Sequence, residues 1–459
     1  MTTNLTADRF GTPTNAKKYT LSVWFKLTKN NRHKILSYNY GNGNIGIVIE
    51  VRTNDQTFRV NEFIPGSNRY DVRTYRAFRD YGAWYHAVVA YDSTQSTAAD
   101  RVKIYINGVQ QTSFAASSYP SQDLDSFISA TPNNNKGFII GASYNNAGGI
   151  DATNYFCGYM SQYIFVDGTA YAPSTFGSTD SNGVWVPNSS PSVTYGTNGF
   201  KLEMKNSGAS AAAGNFGADT SGNNNHFTSN NLGTNPTTKD SPTNVFATLD
   251  ANNDRTQGGF TFLNGGTKVT TSGSNRNYAC LTQAVKSGKW YMECRYTAGV
   301  ASAGVGICDM SNLQMTGTSS LGDLSNEIAI TADGNYEKNN SVTSSWAGSF
   351  TTNDILGLCL DCDNNRFTLS KNGQFADGSG NYDEANPTAY ITYTTGNFMT
   401  FAFGERTSGG TATIEINTGN SPYTIASGNA DANGYGSFEY AVPSGYYALC
   451  TKNIGAYGG

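Results

Sequence analysis

Glycoside hydrolysis needs two carboxylates held about 5 to 10 Å apart around the scissile bond, and on one strand face that reads as a Glu-x-Asp-x-x-Glu type of spacing. No such string occurs. Glu293 stands alone in YMECRY, Glu415 in TIEIN and Glu439 in FEY. The three histidines, His33, His86 and His226, also lack a second ligand or triad member at the required spacing. His86 reads as a strand residue, and His33 and His226 as surface-loop residues. Cys359 and Cys362 form a C-x-x-C, but it closes the apolar strand LGLCLDCD and no second pair follows, so the reading is core thiols. Neither a Gly-x-x-x-x-Gly-Lys-Ser/Thr string nor a Gly-x-Gly-x-x-Gly between strand and helix is present, so no nucleotide cradle is implied. The expectation is a protein without catalytic residues and without a cofactor.

Recognition is better supplied than reaction. A sugar is held when an aromatic ring stacks on its apolar side while Asn, Asp and backbone groups bond its hydroxyls. The sequence offers three loops of that kind: Tyr38, Tyr40, Asn42 and Asn44 in YNYGNGN; Tyr144, Asn145 and Asn146; and Asp333, Asn335 and Tyr336 with Trp346. The competing reading of each is ordinary turn residues beside aromatics that cover a sheet edge.

Loops need elements to hold them, and the composition selects strands. The 459 residues include 51 Gly, 29 Tyr and 24 Phe but only 14% charged residues, which favours short strands joined by turns over long helices. In YTLSVWFKL, Tyr19, Leu21, Val23, Phe25 and Leu27 share one face and Thr20, Ser22, Trp24 and Lys26 the other, a half-buried strand with Trp24 outermost. In RVKIYINGV, Val102, Ile104 and Ile106 share a face and Asn107-Gly108 turns the chain straight back. KWYMECRY repeats the alternation, with Trp290, Met292, Cys294 and Tyr296 opposite Lys289, Tyr291, Glu293 and Arg295, and NDILGLCLDCDNNRFTLSKNGQ reads as two strands turned at Asp363-Asn364-Asn365. The length suits two cores. The fold class is therefore all-β: two tandem antiparallel β-sandwiches at 1–190 and 254–459, joined by a Gly/Asn/Ser/Thr-rich connector at 191–253 in which FKLEM could add a strand.

A formal charge of −4 and scattered Lys and Arg disfavour nucleic acid. No apolar run approaches the roughly 20 residues of a membrane span, and residues 1–10 lack a signal-peptide pattern. Seven cysteines, an odd number, suggest free thiols in a reducing compartment.

The aromatic strand, AWYHAVVAYD, the VKIYINGV hairpin, GFIIG and FCGYMSQYIFVDG occur in an order that resembles the laminin-G-like, concanavalin-A-like sandwich, over Lys17 to Gly168. KWYMECRY, AGVGICD, ITADGNY and the NDILGLCLDCD hairpin resemble a SPRY domain, from Gly258 to Thr451. The first resemblance implies jelly-roll topology and the family's calcium habit, for which Asp92, Asp151 and Asp167 are the candidate ligands, although no dense Asp-x-Asp cluster supports them. The phrases FVDGTAYAPSTFGSTDSNGVWVP, YGTNGFKLEMK and DSPTNVFATLD, and the ending FEYAVPSGYYALCTKNI, resemble structural proteins of marine bacteriophages. That resemblance implies a virion protein made in the host cytoplasm and carried in multiple copies, a tail fibre, appendage or capsid decoration. Its expected partners are other virion proteins, with host surface glycan or receptor as a second class. The alternatives are a purely architectural capsid cement protein and a polysaccharide-degrading enzyme.

Overall fold

The computed structural model describes residues 3–39, 45–129, 137–145, 149–151, 153–233, 236–254, 260–271, 277–312, 320–394, 397–405 and 411–458. The chain forms two compact units, Met1–Thr237 and Thr238–Gly459, and the stretch 191–253 is divided between them. Both are antiparallel β-sandwiches, the all-β architecture expected. No helix among the described residues is long and apolar enough to cross a membrane.

In the first unit an eight-stranded sheet runs, edge to edge, Phe114–Ser118, Ser67–Ala77, Thr57–Ile64, Gly46–Val51, His33–Asn39, Phe138–Ile140, Asn4–Ala7 and Thr228–Asn230. A six-stranded sheet runs Phe200–Leu202, Gly158–Asp167, Lys18–Leu27, Trp84–Asp92, Val102–Ile106 and Val109–Gln110. The Asn107-Gly108 turn has φ of 49° and 79° at its two residues, the left-handed pair a two-residue hairpin requires. Phe200–Leu202, from FKLEM, pairs with Tyr163–Phe165 at the sheet edge.

The expectation of a half-exposed strand at Tyr19–Leu27 is corrected. Every residue of it is buried, Trp24 being 2% exposed and Lys26 fully covered. The cover is the chain after Asp167: Tyr171, Phe176, Val193 and Tyr195 pack on Val88, Ile164 and Val166, and the hairpin Gly177–Thr179/Trp185–Pro187 carries Trp185 onto the same face. A segment with no periodicity of its own thus supplies the other side of the strand.

Under that cover His86 lies stacked between Trp24 (ring centroids 4.7 Å apart) and Trp185 (6.1 Å). Trp185 Nε1 donates to His86 Nδ1 at 3.0 Å, so the ring proton sits on Nε2, 2.8 Å from Ser22 Oγ. His33 is not a loop residue as expected. It begins the strand His33–Asn39, is buried, and accepts from the Cys157 amide through Nδ1. His226 is a half-buried loop residue whose Nδ1 accepts from the Asp219 amide.

Burial lowers His86 to about 3 and His33 to about 4, so their contribution to stability is complete above the unfolded value near 6.5 and is lost as pH falls below it. Glu62 opposes them. It is buried beside Tyr70 and accepts from Arg69, Ser126 Oγ and Phe127 N, but burial still pushes it up to about 7. For an acid raised in the folded state, stability is full below about 4.5 and is lost as pH rises through 7. Thermal melts of wild type and His86→Gln between pH 7 and 5 should therefore diverge, the variant gaining more, or losing less, on acidification. Parallel curves would show that His86 is not held neutral.

The second unit packs a seven-stranded sheet, Leu249–Asp254, Asn277–Leu281, Met399–Glu405, Ala303–Asp309, Ile328–Thr331, Tyr336–Lys338 and Ser341–Thr343, on a larger one. The main path of the larger sheet is Phe260–Leu263, Lys268–Thr271, Thr413–Asn417, Lys289–Ala298, Ile355–Asp361, Arg366–Lys371, Gln374–Ala376 and Tyr382–Glu384. Gly306 in AGVGICD is required by close approach, since a Cβ there would stand 1.7 Å from the Ile328 carbonyl oxygen. All seven cysteines are free thiols, and Cys359 and Cys362 are buried in different apolar clusters. As in the first unit, the outer face of the central strand is covered: Tyr291 and Glu293 lie beneath Phe438, Tyr446 and Ala448.

Candidate functional site

Four neighbouring strands of the eight-stranded sheet direct alternate residues away from the core. Ser37, Val48, Asn61 and Asp71 form one cross-strand row, and Lys34, Glu50, Arg59 and Arg73 the next. Ser37, Val48, Asn61, Lys34 and Arg59 of these rows floor a cleft of about 850 Å³, a volume in the range of small-molecule sites. Ser143, Tyr144, Asn145, Asp151 and Asn154 wall one side of it, and Phe63, Ile64 and Ser67 line it near the end of the next strand.

Glu50 organises the floor. Its carboxylate is fully buried and receives a bidentate fork from Arg32 (2.8 and 2.9 Å) and a 2.5 Å contact from Lys34 Nζ. Arg59 Nη1 stands 3.6 Å away while its other donors fork onto Asp71 at 2.8 Å. Burial alone would raise the Glu50 pKa, but the Arg32 and Lys34 contacts outweigh it and hold it at about 2. Burial pulls the Lys34 ammonium down, and Glu50 restores it only in part. Ser37, 3% exposed, lines the cleft with an Oγ that has no hydrogen-bond partner among the described residues.

The carboxylates here are held ionised and carry no proton to donate near neutrality. Against its partial burial, Asp151 is held at about 2 by hydrogen bonds from the Thr153 hydroxyl and amide and from Asn154. A glycosidase needs one carboxyl raised enough to keep its proton near neutrality. Glu50 and Asp151 are both driven the other way.

Of the residues expected to bind ligand, Tyr38, Tyr144 and Asn145 line this cleft, as does Asp151, expected as a metal ligand. Tyr38 itself is buried, its ring edge-on to Phe138 at 4.9 Å. Tyr40, Asn42, Asn44 and Asn146 lie outside the described residues. Asp92 and Asp167 are elsewhere, at strand ends of the six-stranded sheet, and both already accept hydrogen bonds from the protein. Asp92 accepts from Thr94 and Gln95 and pairs with Lys18 at 3.2 Å, and Asp167 accepts from Thr14 and Asn198. The calcium expectation thus meets three aspartates in two places, and no group of three metal-ligating side chains occurs among the described residues.

In the second unit Asp333 and Asn335 are joined in one turn. Asp333 accepts from Thr331 Oγ1 and from the Asn335 amide and side chain, and Asn335 Oδ1 accepts from Ser345 N. Tyr336 lies edge-on to Trp346 at 6.0 Å, and Trp346 is 8% exposed, part of the core. These aromatics stiffen the turn and present little free face for stacking.

Comparison with known proteins bears on the first unit. The match is to the concanavalin A-like lectin/glucanases superfamily, over residues 2–169. Among solved structures the chain is similar to the SPRY domain of human HERC1 (16% identity, 37% of this chain and 96% of that one, TM-score 0.28). It is also similar to a putative carbohydrate binding protein from Bacteroides ovatus (18% identity, 50% and 56%, TM-score 0.32) and to stonustoxin (17%, 37% and 27%, TM-score 0.29). The chain thus spans about a quarter of the stonustoxin chain and little more than half of the Bacteroides one. No curated protein matches it.

Within this concanavalin-A-like domain the floor residues Arg32, Lys34, Ser37, Arg59 and Asn61 were not singled out from sequence. Their signal was present: HKILSYN, GIVIEV and TFRVNEFI each place polar side chains at alternate positions among apolar ones. Read strand by strand, such positions look like a solvated face, and only pairing the strands gathers them over Glu50.

Proposed function

We propose that this chain is a non-enzymatic glycan-binding protein of a bacteriophage particle, displayed on its tail or capsid surface and bound there to neighbouring virion proteins. The carrying observation is the cleft on the eight-stranded sheet, floored by polar side chains that include Ser37, whose buried hydroxyl has no partner among the described residues. A buried hydroxyl without a partner costs about 1 to 3 kcal/mol, and a ligand hydroxyl can supply the missing bond. The depressed acids Glu50 and Asp151 favour binding over hydrolysis. The particle assignment rests on the phage-like phrases of residues 165–253 and the C-terminal ending. Display in many copies would turn a weak site into firm attachment.

Glycan-array binding by the full chain, repeated with Ser37→Val, tests the site. Ser37 Oγ bonds nothing among the described residues, so the variant should melt as wild type does while losing about tenfold in affinity, the equivalent of about 1.4 kcal/mol. Unchanged binding, or release of reducing ends from a bound polysaccharide, would reject this reading. Immuno-gold labelling of intact virions tests the location, and particles without label would remove the virion assignment.

A further inference from the structure

We infer that the cleft is built for an acidic sugar, one bearing a carboxylate or sulfate that is held by Arg32 and Lys34; the inference rests on the glycan reading above and narrows it. The cleft floor has more cationic donors than acceptors. Arg32 commits Nε and Nη2 to Glu50, and among the described residues its Nη1 has no acceptor. Lys34 Nζ has three protons and one acceptor there, Glu50 Oε2. Arg59 is already shared between Asp71 and Glu50.

These three cations all line the cleft, whereas Glu50 lies beneath them. Asp151, the one carboxylate among the described residues lining the cleft, acts on Lys34 through space but is itself satisfied by Thr153 and Asn154. What is missing is an oxyanion on the open side. A carboxylate or a sulfate presents several acceptor oxygens, so it can take one bond from the remaining Arg32 Nη1 and another from a remaining Lys34 proton while both side chains stay anchored on Glu50. Ser37 lines the cleft in the neighbouring row, and its buried Oγ, without a partner among the described residues, can bond a ring hydroxyl of the same sugar that reaches the floor.

The test is titration calorimetry of the full chain with three polymers: polygalacturonate, a sulfated galactan and the neutral glucan laminarin. Either or both acidic polymers should bind at least about tenfold tighter than laminarin at low salt, with the gap closing as ionic strength rises. Which of the two binds identifies the oxyanion. Arg32→Gln, at a side chain 37% exposed, should lower acidic-polymer affinity about tenfold or more and so narrow its margin over laminarin, while Asp151→Asn should tighten acidic binding severalfold. Laminarin binding as tightly as both acids would overturn the inference and leave the glycan reading standing. Acid binding indifferent to both substitutions would also overturn it, by placing the contact elsewhere. Binding of none of the three would remove the inference together with the reading it rests on.

Discussion

Glu50→Ala is expected to destabilise the first unit by about 3 to 5 kcal/mol, and Lys34→Met by much less, although the two residues form one contact. The asymmetry follows from the count of partners. Glu50 is the carboxylate to which Arg32, Lys34 and Arg59 all turn, so deleting it leaves a buried ammonium with no acceptor and two guanidinium groups facing each other. Deleting Lys34 leaves Glu50 with the Arg32 fork intact, and methionine fills the same apolar stem volume. The opposite pulls on the two pKa values agree: the carboxylate is strongly favoured as an ion, whereas the ammonium is not fully compensated for its burial. Urea unfolding of the full chain, followed through Trp24 and Trp185 fluorescence, measures both costs. Equal costs would mean that the pair stands alone and that the arginines add nothing.

Acid provides a second readout of the same group. With a folded value near 2 against about 4.5 unfolded, Glu50 contributes stability that is complete above pH 4.5 and is lost as pH falls towards 2. That interval corresponds to about 3 kcal/mol. In Glu50→Ala the acid limb of the first unit should be correspondingly shallower.

The strands were legible because their rule is local. Alternation placed Leu21, Val23 and Phe25 on the core face, and Asn107-Gly108 marked a turn that has the required positive φ values. What was not legible was the second cover on each sandwich. Trp24, His86, Tyr291 and Glu293 occupy positions that period-two reading assigns to solvent, and they are buried because residues 169–195 and 420–450 fold back over them. Those segments are rich in Gly, Ser, Asn and Pro, and their role depends on single anchors such as Trp185 and Phe438 far away in sequence. The cleft was half legible for the same reason. Tyr144 and Asn145 could be read from loop composition, whereas Lys34, Glu50 and Arg59 are 16 and 9 residues apart and meet only through the strand register.

The cover of the second unit rests on one carboxylate, and its removal should be visible in thiol chemistry. Glu293 is fully buried with no ion pair among the described residues. Its Oε1 accepts from Tyr440 N at 2.8 Å and Tyr291 OH at 3.2 Å, its Oε2 from Glu439 N at 2.9 Å and Asn417 Nδ2 at 3.2 Å. Burial raises its pKa against these four donors, so stability from this site is greatest near and below pH 4.5 and declines as pH rises above it. Glu293→Gln sets an amide N–H₂ against one of two backbone N–H groups, and the loss of charge-assisted bonds should cost about 3 kcal/mol. Glu293→Ala leaves the Glu439 and Tyr440 amides and the Tyr291 hydroxyl without this acceptor, Asn417 Nδ2 keeping its bond to Ser437 O, and freeing the Phe438–Tyr440 stretch to reach water is the cheaper outcome. Tyr291, Cys359 and Phe438 form one buried cluster, so that release uncovers Cys359, whose thiol is otherwise sealed and pushed up by burial. Under native conditions wild type should react slowly with a thiol reagent at this position, whereas Glu293→Ala should react on mixing, by a step that Cys359→Ser abolishes. Identical kinetics in the two proteins would show that the outer segment is held by its apolar contacts, with the carboxylate contributing none of the grip.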